Sequence, residues 1–188
     1  MKKIFILIFA IQSFLSFAQK NCEYNTNVTD SLGTYKSTKE YIMHERTFGN
    51  TQATVFFSLV NADGLPTLKV QLIQKSNDFI PAKCFDKTSK VFLQLSDNKI
   101  ITLIAIDSET CGEAVKNENV NNRILSGYFL FMKDTFETLK NAPITIMRIK
   151  YTTDTVDYII KNELISEIDN QTYHPDTYFV DYLKCIID

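Results

Sequence analysis

Four cysteines carry the most defined chemistry in this chain: Cys22, Cys84, Cys111 and Cys185. A structural zinc site usually takes cysteines from short C-x₂₋₄-C pairs, and no two of these cysteines stand that close together. In an exported chain an even number of cysteines favours disulfides over free thiols. The sequence therefore predicts no metal site and two disulfides, if the chain leaves the cytoplasm.

The N-terminus predicts that the chain leaves the cytoplasm. Lys2 and Lys3 precede an apolar run, and Ser16 and Ala18 place small residues three positions and one position before a cut after Ala18, which is the order of a secretory signal peptide. The run is too short and too interrupted for a spanning helix, which needs about 20 apolar residues. Residues 19–21 do not fit the motif that precedes an acylated cysteine.

We therefore expect residues 1–18 to be removed and residues 19–188 to form one domain in the periplasm or outside the cell, without a transmembrane segment. The mature chain has 20 − 2 = 18 basic and 22 acidic residues, a net charge of −4. This balance excludes a typical nucleic-acid-binding protein, which neutralises phosphates with Lys and Arg.

The two histidines do not complete a catalytic pattern. His44 precedes Glu45 on a predicted strand, and strand alternation sends these neighbours to opposite faces. His174 precedes Pro175 at a helix start, where a capping or exposed role is the ordinary explanation. Because a general base needs a positioned partner, the sequence predicts no catalytic residue.

Carboxylates offer two weaker alternatives. Glu40 with Glu45, or Asp154 with Asp157, would make a glycosidase-type pair, but no aromatic platform for a sugar accompanies them and the chain has no Trp. An acidic segment would suit Ca²⁺, although it lacks the spacing of an EF-hand loop; its residues are Asp107, Glu109, Glu113, Asn117 and Glu118. No cofactor is expected.

Three hairpins account for most of the predicted sheet. The first turns at Asp63-Gly64, a pair that tolerates the positive φ of a two-residue turn. Its register brings apolar residues opposite each other, namely Leu59 with Leu68, Phe57 with Val70, and Val55 with Leu72. The alternate face is mostly polar, as in a half-buried antiparallel pair.

The second hairpin joins residues 90–95 to residues 99–106. A two-residue turn at Asp97-Asn98 predicts that Leu95 opposes Ile100, Leu93 opposes Thr102, and Val91 opposes Ile104. Both faces are mainly apolar, which favours central strands covered on each side. Extending this register places Cys84 opposite Cys111, so we expect a Cys84–Cys111 disulfide and, by elimination, Cys22–Cys185.

The third hairpin spans residues 144–151 and 155–160. A turn at Thr152-Thr153 pairs Arg148 with Asp157 and puts three pairs on the core face: Ile149 with Val156, Met147 with Tyr158, and Thr145 with Ile160. Threonines disfavour positive φ, so a longer loop with a shifted register stays open.

Two helices are predicted. Residues 133–140 form a short one, with Asp134 as N-cap and Glu137 completing a capping box. Residues 175–187 form the other, with an apolar stripe of Phe179, Tyr182, Leu183 and Ile186. Together these elements predict an α+β fold: a mostly antiparallel sheet built from hairpins, one short inserted helix and a C-terminal helix.

Several segments resemble exported bacterial α+β domain proteins with no known activity. They are Cys84-Phe85-Asp86-Lys87, the hairpin leading to Cys111, the stretch from Phe136 to Arg148, and the ending from Tyr178 to Cys185. The resemblance covers about the last two-thirds of the mature chain and implies no activity.

The functional expectation is a non-catalytic binding module, secreted or periplasmic and stabilised by disulfides. Its partner would be a protein, a peptide or an envelope component, held by a sheet face or edge. The alternative is a hydrolase that acts on cell-envelope or extracellular polymers.

Overall fold

The computed structural model describes residues 20–31, 33–106, 109–117 and 120–187, so the predicted signal peptide lies outside the described residues. Strands hold 57% of the described residues and helices 10%. The fold is therefore predominantly β with a C-terminal helix. The expected α+β class overestimated the share of helix. Both α-helices contain only five residues.

The described residues form fifteen strands: β1 Tyr24–Asp30, β2 Gly33–Thr38, β3 Tyr41–Phe48, β4 Thr51–Ala62, β5 Leu65–Ser76, β6 Cys84–Phe85, β7 Lys90–Leu95, β8 Ile100–Ala105, β9 Thr110–Cys111, β10 Glu113–Asn117, β11 Val120–Phe131, β12 Ile144–Lys150, β13 Thr155–Ile159, β14 Leu164–Ile165 and β15 Thr172–Tyr173. The helices are α1 Thr135–Leu139 and α2 Tyr178–Tyr182, and α2 is flanked by 3-10 turns at Pro175–Thr177 and Leu183–Cys185.

Eleven of these strands form one antiparallel sheet. Its order is β1-β2-β4-β5-β11-β8-β7-β12-β13, with β3 also paired to β4 and β10 to β11. The long strand β11 pairs with β5 on one side and with β8 on the other. It thus joins the first hairpin to the second, and β13 ends the sheet as an edge strand.

The registers of the first and third hairpins are confirmed. In the first, Phe57 pairs with Val70, and the turn residues Asp63 and Gly64 have φ values of 51° and 80°. In the third, Arg148 pairs with Asp157, and neither turn threonine has a positive φ. Thr145 is exposed rather than on the core face, because β12 has an irregularity there against β7.

The register of the second hairpin is wrong by one residue. Leu93 pairs with Ile101, not with Thr102. Asn98 takes a left-handed φ of 66°, and the Leu95 amide donates to the Lys99 carbonyl at 2.9 Å. The loop therefore has three residues, as in hairpins that end in a left-handed residue.

Both disulfides join the expected cysteines, Cys22 with Cys185 and Cys84 with Cys111. Cys84 and Cys111 oppose each other in a separate small sheet formed by β6 and β9. The extrapolated pairing therefore holds although the strands from which it was extrapolated are shifted by one residue.

The expected cap of the first helix is wrong. Asp134 has a φ of 65° and its side chain makes no capping hydrogen bond, so no capping box forms with Glu137. Instead the amide and hydroxyl of Thr135 both donate to the Met132 carbonyl, at 3.3 and 2.7 Å. Leu139, at the end of this helix, is fully buried in the hydrophobic core.

One face of the sheet carries the core. The C-terminal helix covers it, with the Phe179 ring 6.1 Å from Phe57 and 6.0 Å from Phe131. Phe85 of β6 covers the same face further along, with its ring 5.2 Å from that of Phe129. The hydrophobic cluster on this face extends through β4, β5, β11, β7 and β12.

Candidate functional site

His44 and His174 occupy structural positions. The His44 ring lies 5.0 Å from the Tyr158 ring, and burial, followed by Lys161 and Arg46, lowers its pKa. The backbone amide of His174 donates to the Tyr41 hydroxyl at 2.7 Å. Strand pairing sets His44 opposite Val55 and Glu45 opposite Thr54, so these neighbours occupy opposite faces as expected.

The carboxylates that resemble glycosidase pairs each have a separate partner. Glu40 binds Lys69 at 3.1 Å and Asp154 binds Lys83. Glu45 accepts hydrogen bonds from Gln52 and Ser166, at 3.2 and 2.8 Å. Arg148 holds the pKa of Asp157 below its usual value, whereas a general acid needs a raised pKa. These contacts give the four carboxylates structural roles.

The acidic segment is not one loop. Glu113 begins β10, and Asp107 and Glu118 lie outside the described residues. Across the described ranges, the one group with metal-type ligand atoms close together is Cys84, Glu109 and Cys111. Its two sulfurs form a disulfide, so no thiolate is available to bind a metal.

No described residue covers the face of β7, β8, β12 and β13 that points away from the core, and we call it the open face. Two rows of side chains cross these four strands. The first row is Ile159, Ile146, Gln94 and Ile100, and the second is Asp157, Arg148, Phe92 and Thr102. The expectation that both faces of the second hairpin are covered is therefore wrong.

The open face is unusually apolar for a surface in contact with water. Ile159 and Ile100 are 76% and 64% exposed, and they lie in one row with Ile146. A sheet covered on one side normally presents polar residues on the other, and contiguous exposed apolar patches mark interaction sites. A shallow cavity of about 470 Å³ lies on this face, between Phe92 and the Arg148–Asp157 pair.

The Arg148–Asp157 pair supplies the charge of the open face. Arg148 donates from Nε and from its second terminal nitrogen to the two Asp157 carboxylate oxygens, at 2.5 and 2.7 Å. This pairing raises the pKa of Arg148 and lowers that of Asp157, so both stay ionised near neutral pH. The pair adds no net charge to the face.

A second cavity, of about 600 Å³, lies where the C-terminal helix meets β3 and β15. Four tyrosines line it, and we call it the tyrosine pocket: Tyr41, Tyr173, Tyr178 and Tyr182. The Tyr41 ring is central, with centroids of the other three rings at 4.9, 5.1 and 5.3 Å. The Cys22–Cys185 disulfide ties the N-terminal segment that forms part of its rim to the C-terminal helix.

Sequence reasoning missed both surfaces. The rings of the tyrosine pocket come from positions 41, 173, 178 and 182. Because Tyr41 is distant in sequence from the other three, no local motif predicts the pocket. The open face did leave a signal, because Phe92, Ile100 and Ile146 are apolar residues on a face that the correct register turns away from the core. This apolar surface was not predicted because the expected register of the second hairpin was wrong by one residue.

The chain matches no known protein family, no curated protein and no solved structure. The resemblance to exported bacterial proteins therefore stays a prediction.

None of the helices formed by the described residues combines the length and the apolar character needed to cross a bilayer.

Proposed function

We propose that this protein is an exported, non-catalytic binding module that takes an extended peptide segment of a partner protein as an additional strand beside β13. The observation that carries this proposal is the position of the apolar open face, which at Ile159 reaches β13, an edge strand that pairs on one side only among the described strands. Addition of a strand to a sheet edge is a recurrent mode of peptide recognition. Backbone hydrogen bonds supply affinity, and neighbouring side chains supply specificity.

The hydrogen-bond pattern of the third hairpin identifies the free backbone groups. The Tyr151 amide donates to the Asp154 carbonyl at 2.8 Å, and the Ile160 amide donates to the Thr145 carbonyl at 3.0 Å. Bonded and non-bonded pairs alternate along an antiparallel ladder. The amides of Val156 and Tyr158 therefore donate to β12. The amides at the alternate positions point away from the sheet at its edge: Thr155, Asp157 and Ile159.

The side chains beside this edge define the partner's chemistry. Asp157 and Ile159 both lie on the open face, next to Arg148 and Ile146 respectively. A residue of an added strand directly opposite Ile159 would bring its Cβ within about 4.5–5.5 Å. Because the charges at Asp157 are already balanced, the surface favours an extended segment with apolar or aromatic residues at alternate positions.

Two disulfides support the export part of the proposal. Disulfides persist in the periplasm and outside the cell but are rare in the cytosol, and the predicted signal peptide leads to the same compartments. The hydrolase alternative has no comparable support, because the carboxylates of the two glycosidase-type pairs have structural partners.

The experiment selects peptides from a displayed library of random sequences on the mature, oxidised protein. Enriched peptides are then followed by hydrogen exchange. We expect new protection at the amides of Thr155, Asp157 and Ile159, while Val156 and Tyr158 are slow before the peptide is added. Ile159→Lys should weaken binding about tenfold or more, as for a central interface residue. Ile165→Lys changes a similarly exposed isoleucine on β14 and should leave binding unchanged.

Failure of any peptide to enrich would contradict the proposal. Equal binding to Ile159→Lys and to the unchanged protein would also contradict it, as would protection confined to β1 at the opposite edge.

A further inference from the structure

The tyrosine pocket has the composition of a site for a neutral polar ligand. Three partly exposed tyrosine rings, backed by the buried Tyr178, form its apolar surface, and the amides and hydroxyls of Asn21, Gln171 and Thr172 lie around them. Binding sites combine an apolar lining with a few polar groups that fix orientation. Tyrosine suits this arrangement because its ring is apolar while its hydroxyl forms hydrogen bonds.

The charges at the rim of the pocket are balanced within the protein. Lys20 binds Asp181 at 2.9 Å, Lys39 binds Glu23 at 2.8 Å, and Glu40 binds Lys69 at 3.1 Å. An anionic or cationic ligand would therefore have to compete with an existing ion pair. A ligand without charge meets no such competition.

Hydrogen bonds and burial hold the tyrosine rings of the pocket in fixed positions. Tyr41 accepts from the His174 amide at 2.7 Å, and Tyr173 donates to Asp169 at 2.5 Å, which holds both rings in place. Tyr178 is almost fully buried at the inner end of the pocket, so its ring supports the neighbouring tyrosines while its hydroxyl is closed to a ligand. Burial raises the pKa of Tyr178 and of Tyr41, so these hydroxyls stay protonated.

We propose that the tyrosine pocket binds a neutral carbohydrate chain, with the flat faces of sugar rings against the tyrosines and sugar hydroxyls bonded to the polar rim. Carbohydrates present both kinds of surface at once: axial C–H groups on one side of the ring and hydroxyls around its edge. The chain lacks Trp, and clustered tyrosines supply the aromatic platform instead. This site shares no lining residue with the cavity on the open face, so it goes beyond the proposed peptide-binding function.

The test uses six defined hexasaccharides with the mature, oxidised protein: cellohexaose, laminarihexaose, xylohexaose, mannohexaose, maltohexaose and chitohexaose. Because no Trp is present, intrinsic tyrosine fluorescence reports directly on the tyrosines, and calorimetry measures the affinity. We expect saturable binding of at least one hexasaccharide. Tyr173→Ala and Tyr182→Ala should each weaken it about tenfold or more, whereas Tyr173→Phe should retain most of the affinity because it keeps the ring.

Tyr35→Ala is the matched control, since Tyr35 is a partly exposed tyrosine on β2 that does not line the pocket. Thermal unfolding of every variant shows whether it remains folded. The proposal is overturned if no hexasaccharide binds up to ~10 mM, a concentration above the millimolar range of weak specific binding. It is also overturned if binding survives unchanged in the folded Tyr173→Ala and Tyr182→Ala variants. Ile159→Lys should leave saccharide binding intact, so failure of one site is distinguishable from failure of the other.

Discussion

Gly127 of β11 lies directly beneath the ring of Phe85. A Cβ added at Gly127 would stand 2.6 Å from Cδ2 of Phe85, closer than two carbons approach in folded proteins. The Phe85 ring cannot easily retreat, because it stacks on Tyr151 at 5.2 Å and meets Phe129 edge-on at the same distance. The glycine thus permits the Cys84–Phe85 strand to pack on the sheet.

Gly127→Ala should therefore lower the free energy of unfolding by about 1–3 kcal/mol, the usual range for overpacking a filled core. Urea denaturation of the oxidised protein measures the change. Gly112→Ala is the matched control, because its added Cβ would meet its nearest neighbour, Leu125, at an ordinary 3.5 Å. Equal destabilisation by the two substitutions would show that the contact with Phe85 is unimportant.

Tyr151 and Tyr158 form a buried pair, with their hydroxyl oxygens 2.9 Å apart. Tyr151→Phe should cost about 1–3 kcal/mol, because it leaves the Tyr158 hydroxyl buried without its partner. Replacing both tyrosines by Phe should cost less than the sum of the two single substitutions, since neither hydroxyl is then left unpaired. Strict additivity in this double-mutant cycle would contradict the role assigned to the bond.

The two disulfides should differ in their contribution to stability. Cys22–Cys185 spans 163 residues of sequence and Cys84–Cys111 spans 27. In the chain-entropy treatment these loops correspond to about 5 and about 3.5 kcal/mol. The double variant Cys22→Ser/Cys185→Ser should unfold at a lower urea concentration than Cys84→Ser/Cys111→Ser, and the reverse order would be inconsistent with stabilisation through loop closure.

His44 should make stability depend on pH in the weakly acidic range. Burial lowers its folded-state pKa from the ordinary value of 6.5, so the unfolded chain takes up a proton at a higher pH than the folded chain. The stability that His44 contributes is therefore present above pH 6.5 and is lost as the pH falls from there through the folded-state pKa. Urea denaturation between pH ~7.5 and ~5 should show this decline, and His44→Gln should flatten it. An unchanged decline in that variant would assign it to other groups.

The hairpins show which parts of the fold the local sequence can predict. Asp63 and Gly64 accept the backbone conformation of a tight turn, so the register of β4 with β5 follows from that turn and from the pairing of apolar residues. Asn98 also accepts a left-handed conformation, but in a three-residue loop. Two- and three-residue loops differ by one residue in register, and the pattern around residues 96–98 admits both because β7 and β8 are apolar on both faces.

The disulfides show a second limit. The pairing of Cys84 with Cys111 came from a long extrapolation, and β6 and β9 form their own small sheet apart from the β7–β8 ladder.

The C-terminal helix was recognisable from its apolar stripe, yet its mixture of one α-helical turn between two 3-10 turns was not. Such end geometry depends on packing against the sheet more than on helix propensity.

The sequence by itself determined the predicted export signal, the antiparallel hairpins and the even set of cysteines, because these depend on residues that are neighbours or near neighbours in the chain. Tertiary structure alone decided that β11 lies between β5 and β8, that one face of the second and third hairpins stays open, and that Tyr41 meets Tyr178. Contacts between distant segments depend on which surfaces bury the most apolar area together. The periodicity of a single strand or helix does not predict which surfaces those are. The two proposed binding surfaces both arise at this level.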